Sequence, residues 1–283
     1  MNTLVRITAL SFALGIILSA VAAAAPCARP PAPGGDPALA GATALRAELC
    51  RLRASPATDL PSFIINVKHS STYDVEFAAW EFDLSRVRLD VISAAAPAGE
   101  KAPTFKTRTG ALFAINGSFF DFGPQQELRT VGLLIEKGRI KKPLSRALSG
   151  TLLINGAQVE IVETSSVVTA MGYSAGLQSK PLLVEPGNKL GMRGDDHVRV
   201  PRSAICLPDP RHVIFIYAGE SGLSLFELAT LLQMPAKAGG FGCDVALNLD
   251  GGPSTQVAGT IQGEAFERLG QNVANAIVVV GNQ

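Results

Sequence analysis

The chain has 283 residues, a formal net charge of +1 and a hydrophobic fraction of 47%. This length suits one large domain or two small ones once an export signal is removed. Basic and acidic residues nearly balance and form no basic stripe, which excludes the electrostatic footprint of a nucleic-acid-binding protein.

Residues 1–25 have the three-part pattern of a secretory signal peptide. Arg6 is the one charged side chain among them, the apolar run Ile7–Val21 follows, and small residues end the segment. A membrane-spanning anchor needs about 20 apolar residues, and this run is shorter. A lipid anchor on Cys27 is another alternative, which the preceding Pro26 fits poorly. We therefore expect cleavage, export to the periplasm or the medium, and no membrane span in the mature chain.

A leader rich in Pro, Ala and Gly occupies residues 26–60. It includes one predicted short helix, Thr43–Ala54, in which leucines recur at spacings of four and three. From residue 61 to residue 283 the pattern changes to strands, so we expect one domain there.

This domain is predicted to consist mainly of β-strands, which are β-branched or aromatic runs bounded by turn residues. Asn155-Gly156 predicts a hairpin because this pair readily takes the positive φ angles of a tight turn. Ser224, followed three residues later by Glu227, predicts a capping box at the start of one amphipathic helix. The predicted strands are Phe63–Val67, Tyr73–Phe82, Val87–Ser93, Ala111–Ile115, Val131–Ile135, Thr151–Ile154, Ala157–Val162, Leu182–Val184, Ala204–Leu207, Val213–Tyr217, Val245–Leu249 and Ala276–Val280. The expected fold class is α+β, a strand-dominated mixed sheet with few helices.

Four cysteines, an even count, suggest disulfides in an oxidising compartment. Cys27 and Cys50 both lie in the N-terminal extension, and Cys206 and Cys243 both lie in the C-terminal half. Of the three available pairings we therefore expect Cys27–Cys50 and Cys206–Cys243, with buried free thiols as the alternative. No C-x-x-C motif or His/Cys cluster indicates a structural zinc site.

Two segments depart from ordinary strand and turn patterns. In one, an apolar strand runs into Asn116-Gly117-Ser118, where unusual backbone angles let N–H groups converge on a ligand. In the other, Arg202 begins a strand directly after a proline and offers a planar fork of donors to a carboxylate or phosphate. Taken alone, the first pattern is typical of a plain turn and the second of a surface arginine paired with an acid.

A third segment, Ala246–Thr255, ends an apolar strand at Asp250 and continues with Gly251, Gly252 and Ser254. A carboxylate at a strand end beside open backbone is a common catalytic arrangement. Calcium binding is the alternative, but the segment offers few ligands compared with a calcium-binding loop.

Taken together and in this order, these segments resemble the phosphodiester glycosidase domain family. The resemblance extends from Phe63 to Val280. The matching pieces are Asn116–Phe120, Gly132-Leu133, Gly176–Ser179, Pro201–Ile205, Phe226–Ala229, Leu247–Thr255 and Asn275–Val279. Each piece alone is unspecific, and the specificity lies in their shared order.

The resemblance implies hydrolysis of a sugar-1-phosphodiester at the glycosidic C–O bond, with a glycosyl phosphodiester or related envelope glycan as substrate. Ordinary glycosidases use a second carboxylate to protonate the leaving oxygen. A phosphomonoester leaving group is already acidic, with a second pKa of about 6, so one carboxylate and one arginine suffice. Asp250 is the expected nucleophile or base, and Arg202 the expected phosphate clamp. The expected substrate-binding residues are Asn116, Gly117, Ser118, Gln178, Asn248, Gly251, Gly252 and Ser254, with Asp121 and Glu220 as reserve carboxylates.

Two other functions are alternatives. A non-catalytic glycan- or envelope-binding protein would keep the fold but lose Asp250 or Arg202, and both are present. A phosphoesterase that cleaves the P–O bond usually needs a two-metal cluster. The three histidines, His69, His197 and His212, are scattered along the sequence, so we expect no metal and no cofactor.

Overall fold

The computed structural model describes residues 62–68, 74–261 and 264–282. The predicted signal peptide, the leader with its helix Thr43–Ala54 and the expected Cys27–Cys50 pair lie outside the described residues. Within the described ranges, no helix combines the length and apolar character needed to cross a membrane.

Strands dominate the described chain, and two α-helices lie between them. Helix α1 is Ala102–Thr109 and helix α2 is Leu225–Gln233. The strands are β1 Ser62–Lys68, β2 Asp74–Asp83, β3 Val87–Ser93, β4 Phe113–Asn116, β5 Phe120–Phe122, β6 Leu128–Thr130, β7 Leu134–Glu136, β8 Arg139–Lys142, β9 Gly150–Asn155, β10 Gln158–Glu163, β11 Ala175–Ser179, β12 Leu182–Glu185, β13 Lys189–Leu190, β14 Val200–Asp209, β15 His212–Leu223, β16 Val245–Asn248, β17 Val257–Ile261, β18 Glu264–Arg268 and β19 Asn275–Gly281. The predicted α+β, strand-dominated fold class is confirmed.

The strands form three larger sheets and one two-stranded sheet, β5-β6. The first sheet has the order β1-β2-β15-β14-β16-β12-β13, the second β10-β9-β11-β7-β8, and the third β18-β17-β4-β19-β3. Where the sequence led us to expect a mixed sheet, every pairing between described strands is antiparallel. Parallel neighbours would need long crossover connections, whereas β9-β10 and β14-β15 are joined by tight turns.

An aromatic cluster joins the first sheet to the third at the centre of the core. Phe113 of β4 packs against Trp80 and Phe82 of β2 and Phe215 of β15, with ring centroids 5.0, 5.5 and 5.2 Å away. Phe266 of β18 also contacts Trp80, at 5.3 Å. Aromatic pairs at these separations add to the stabilisation that burial alone provides. The cluster therefore fixes how the two sheets pack together.

Helix α2 packs on the other face of the first sheet. Ser224 Oγ accepts the Glu227 N–H, and Glu227 Oε2 accepts the Ser224 N–H, so the predicted capping box is present. In the same apolar layer a disulfide joins Cys206 of β14 to Cys243, which precedes β16, with their Cα atoms 5.7 Å apart. The predicted Cys206–Cys243 pairing is confirmed.

Candidate active site

A cleft of about 440 Å³ lies where the ends of three neighbouring strands meet. Asp250 follows the end of β16, Arg202 lies near the start of β14, and Pro181 directly precedes β12. The cleft is lined by Phe119, Ser149, Lys180, Pro181, Val200, Arg202, Leu225, Asn248, Asp250, Gly251 and Gly252. The structure thus brings together the two predicted catalytic residues and three of the predicted substrate contacts.

Asp250 is held by the loop after β4 and by its own turn. Its N–H donates to Gly117 O at 3.0 Å, and its carbonyl accepts from Asn116 Nδ2 at 2.7 Å. Its carboxylate accepts the Gly251 N–H at 2.9 Å and a hydrogen bond from the Ser254 side chain. Burial raises the pKa of Asp250 above its usual range, and these two hydrogen bonds oppose the rise. The carboxylate is therefore fixed in orientation and more basic than an exposed aspartate.

Asn116 is fully buried, and the protein satisfies its side chain. Besides the bond to Asp250, its Oδ1 accepts from Ser203 Oγ at 2.7 Å and from the Gln256 N–H at 3.1 Å. This amide therefore ties β4 of the third sheet to β14 and to the Asp250 turn. The sequence predicted a substrate contact here, and the geometry supports a positioning role for Asn116 instead.

Gly117 and Ser118 continue this loop and are held by Asn275 of β19. Asn275 Oδ1 accepts the Ser118 N–H at 2.8 Å, and its Nδ2 donates to Thr130 Oγ1 at 2.9 Å. A Cβ at residue 117 would stand 1.9 Å from Asn275 Oδ1, so a side chain there would clash. Neither residue lines the cleft, and both support the segment that holds Asp250.

Arg202 is half-buried, and part of its guanidinium binds the protein's own backbone. Its Nε donates to Leu223 O and its Nη2 to Val198 O, both at 3.0 Å. Its Nη1 lies 3.8 Å from the place where a Cβ on Gly251 would stand. Burial lowers the pKa of Arg202, but a guanidinium remains charged in proteins. The side chain therefore supplies a fixed positive charge on the same side of the cleft as the Asp250 turn.

Asn248 differs from Asn116 because one of its polar atoms is unpaired. Its Nδ2 donates to Lys180 O at 2.9 Å and to Leu249 O at 2.7 Å. Its Oδ1 is buried, has no hydrogen-bond partner among the described residues, and belongs to a residue that lines the cleft. An unpaired buried acceptor is costly, and a donor from a ligand in the cleft would remove that cost.

A family model for phosphodiester glycosidases matches residues 109–280, a range that contains Arg202, Asn248 and Asp250. The chain belongs to the phosphodiester glycosidase family. The resemblance inferred from the sequence is thereby confirmed.

This member of the phosphodiester glycosidase family shares its fold with several solved structures, at low sequence identity. The catalytic domain of zebrafish N-acetylglucosamine-1-phosphodiester alpha-N-acetylglucosaminidase, auto-inhibited by its pro-peptide, has a TM-score of 0.59 and 13% identity, covering 78% of this chain and 82% of that chain. A Synechocystis protein has a TM-score of 0.56 and 16% identity, covering 78% of this chain and 61% of its own. A Burkholderia pseudomallei protein described as exported has a TM-score of 0.52 and 12% identity, and the match covers 73% of this chain and 74% of that chain. No curated protein matches the chain by sequence.

Two other predicted substrate contacts of this family member lie outside the lining of the cleft. Gln178 is fully buried, and its Oε1 accepts the N–H groups of Leu133 and Ser145 at 2.8 and 2.7 Å. Its Nε2 donates to Ser145 O and to Thr164 Oγ1, both at 3.0 Å. Ser254 is buried beside Asp250, as described above. Gln178 therefore fixes the segment around Ser145, and Ser254 orients the carboxylate.

Lys180 and Phe119 line the cleft, although the sequence did not single them out as site residues. Phe119 directly follows the Asn116-Gly117-Ser118 loop, so its aromatic ring was a signal that the sequence contained. Lys180 is exposed and precedes Pro181 through a cis peptide bond, and no local pattern indicated its role. A second cation in the same cleft as Arg202 suits an anionic ligand.

Of the reserve carboxylates and the histidines, the described Asp121, His197 and His212 do not line the cleft. Asp121 is exposed in β5 and does not line the cleft, and the side chain of Glu220 lies outside those described. His69 lies outside the described residues. Over the described part of the chain, no three His, Cys, Asp or Glu side chains converge as a metal site would require.

Proposed function

We propose that this protein is an exported glycosidase that hydrolyses a sugar-1-phosphodiester at the glycosidic C–O bond. The observation that supports it is the joint position of Asp250 and Arg202 in one cleft, which Asn248, a residue with an unpaired buried Oδ1, also lines. The family supports the reaction class. The name of the zebrafish relative supports N-acetylglucosamine 1-phosphodiesters as the first substrates to try.

In this proposal each cleft residue acts on a different part of the substrate. The positive charges of Arg202 and Lys180 hold the phosphate, and Asn248 Oδ1 accepts a hydroxyl of the sugar. The raised pKa of Asp250 suits attack on the anomeric carbon, either directly as a nucleophile or as a base that activates water. The C–O bond breaks and the phosphate leaves as a monoester.

The leaving group explains why a single carboxylate is enough. Hydrolysis of an ordinary glycoside needs a second carboxylic acid to protonate the departing oxygen. A phosphate monoester dianion is a weak base, with a second pKa of about 6, and it departs without that proton when cations hold it. The electrostatic contribution of Arg202 therefore replaces the general acid of other glycosidases.

Export is part of the proposal. The signal peptide predicted over residues 1–25 directs the chain out of the cytoplasm. The Cys206–Cys243 disulfide fits an oxidising compartment such as the periplasm or the medium.

The deciding experiment is hydrolysis of the methyl ester of N-acetylglucosamine 1-phosphate in oxygen-18 water. C–O cleavage places the label in the released sugar, whereas a phosphoesterase would place it in the phosphate. Asp250→Asn should lose the activity, and Asp121→Asn, which changes an exposed carboxylate outside the cleft, should retain it. Release of unlabelled sugar with labelled phosphate would refute the proposed reaction. Binding without turnover of any sugar-1-phosphodiester would favour the non-catalytic alternative.

A further inference from the structure

A second, larger groove adjoins the Asp250 cleft. Its volume is about 820 Å³, and Ser149 and Pro181 line both spaces. A phosphodiester carries two organic groups, the sugar on one side of the phosphate and an alcohol component, the aglycone, on the other. We propose that the adjoining groove is the aglycone subsite, and that it favours an elongated, partly apolar aglycone with a neutral or cationic end. This inference rests on the proposed function.

The apolar part of the groove comes from Leu144, Leu148, Val167 and Leu182. Leu148 and Leu182 are buried, whereas Leu144 is exposed. Binding sites for small organic groups are typically concave and largely apolar, with a few polar groups that determine orientation. An aglycone with an alkyl chain therefore gains affinity from the groove. A methyl ester is too short to reach the groove and does not gain this affinity.

The charged part of the groove contains one base and two acids, Arg146, Glu163 and Glu185. None of them forms a salt bridge with another described residue, so all three are available to a ligand. Glu163 accepts a hydrogen bond from Ser165 Oγ at 3.2 Å. Because the carboxylates outnumber the guanidinium, the groove attracts an amine and disfavours a second anion beyond the phosphate.

Hydrogen bonds within the protein hold the groove in shape without a ligand. Gln178 binds both the N–H and the carbonyl of Ser145, which fixes the segment that carries Leu144 and Arg146. Ser149 accepts the Thr164 N–H through its carbonyl at 2.8 Å and the Leu182 N–H through its Oγ at 3.3 Å. A preformed groove loses little entropy on binding, so its preferences should be visible in affinity.

The test compares four esters of N-acetylglucosamine 1-phosphate: methyl, hexyl, 6-aminohexyl and 5-carboxypentyl. Binding is measured by calorimetry on Asp250→Asn, and kcat/KM is measured on the wild-type chain. Burial of two methylenes would make the hexyl ester bind about tenfold tighter than the methyl ester. The aminohexyl ester should exceed the carboxypentyl ester about fivefold, as expected for partly exposed charge pairs.

Variants locate the effect in the groove. Ser165→Trp fills the groove from an exposed position and should lower the ratio of hexyl to methyl affinity about tenfold. Ser166→Trp changes the neighbouring exposed residue, which does not line the groove, and should leave the ratio unchanged. Glu163→Gln combined with Glu185→Gln should abolish the preference for the amine over the carboxylate.

The outcomes separate this inference from the proposed function. Turnover of all four esters with equal affinities overturns the aglycone subsite and leaves the proposed function standing. The expected affinity pattern without any turnover supports the subsite and overturns the proposed function. Equal affinities without turnover overturn both. A preference that Ser165→Trp leaves unaltered also overturns the subsite, because the preference would then arise elsewhere.

Discussion

The Asp250 cleft and the adjoining groove are built from different parts of the chain. The cleft is formed mainly at strand ends, where the buried amide of Asn116 ties two sheets to the Asp250 turn. The groove is formed largely by connections, namely residues 143–149 between β8 and β9 and residues 164–167 after β10. Its charged side chains form no salt bridge with another described residue, whereas two nitrogens of Arg202 in the cleft donate to backbone carbonyls.

This contrast separates chemistry from selectivity. Groups at the ends of packed strands keep one orientation, which catalysis requires of a nucleophile or base. Residues on connecting segments can change without disturbing the sheets, so they are suited to set which aglycone is accepted. Substitutions in the cleft should therefore alter the rate for every substrate, and substitutions in the groove should alter only the ranking of substrates.

The largest expected effect follows from Asp250→Asn. An amide is neither a useful nucleophile nor a base, so we expect kcat to fall at least about 10³-fold for every ester. The near-isosteric side chain should leave the fold intact, which circular dichroism and thermal unfolding can verify. Binding measured by calorimetry should persist or tighten. Substantial activity in a correctly folded Asp250→Asn variant would exclude Asp250 as the reacting group.

The next largest effect is expected for Arg202. Its guanidinium donates to Leu223 O and Val198 O, its Nη1 lies near Gly251, and the residue lines the cleft. Lysine keeps the charge but cannot make these contacts together, so Arg202→Lys should lose about 10²-fold or more in kcat/KM. The measurement is steady-state kinetics with the methyl and hexyl esters, which should be affected equally because the phosphate is common to both.

Arg199→Lys is the control for this substitution, since Arg199 pairs with Glu227 and does not line the cleft. It should retain most of the activity. Full activity in Arg202→Lys would show that charge alone is needed, and that the fork of donors contributes nothing.

The two buried asparagines, Asn116 and Asn248, allow residues that position the site to be compared with residues that contact the substrate. Asn116→Leu leaves Asp250 O, Ser203 Oγ and the Gln256 N–H without partners, so the free energy of unfolding should fall by about 2–3 kcal/mol. Urea denaturation measures this loss. An Asn116→Leu variant as stable as the wild type would mean that the hydrogen-bonded hub contributes little.

Asn248 should affect substrate binding, whereas Asn116 should affect stability. Its unpaired Oδ1 is expected to accept a sugar hydroxyl. Binding of the methyl ester should therefore stabilise the wild-type chain against unfolding. In Asn248→Ser, which shortens the side chain, KM should rise about tenfold, which is the size of one lost hydrogen bond. An unchanged KM would remove Asn248 from the substrate contacts and leave its unpaired oxygen unexplained.

Much of the fold was predictable because its signals are local. The Asn155-Gly156 turn and the Ser224–Glu227 capping box each depend on residues within one turn of the chain, and both are present. Helix α1 was missed because, among its eight residues, only Ala102 and Phe105 are buried, which leaves too little apolar periodicity to detect. Strands β17 and β18 were missed as well, and in them polar and small residues interrupt the apolar pattern.

The candidate site was predictable only in part, because its supporting contacts are distant in sequence. Asn116 lies 134 residues before the carbonyl it binds, and no local pattern distinguishes such a positioning amide from a ligand contact. Gln178 is a similar case, since its partners in the segment around Ser145 are brought near only by the sheet. The sequence could identify amides near the site, but the topology decides which of them face the cleft.

The smallest expected effect is on stability and tests the electrostatics of the cleft. Burial raises the folded-state pKa of Asp250 above the ordinary aspartate value that applies in the unfolded chain. Between these two pKa values the folded state binds more protons than the unfolded state, so the Asp250 contribution to stability falls as pH rises through this window. Asn at this position does not titrate. The free energy of unfolding of Asp250→Asn relative to the wild type should therefore increase with pH across the window and level off above the folded-state pKa. Urea denaturation at a series of pH values measures this difference. A difference that decreases with rising pH would mean that Lys180 and Arg202, the cations lining the cleft, lower the pKa of Asp250 by more than its burial raises it.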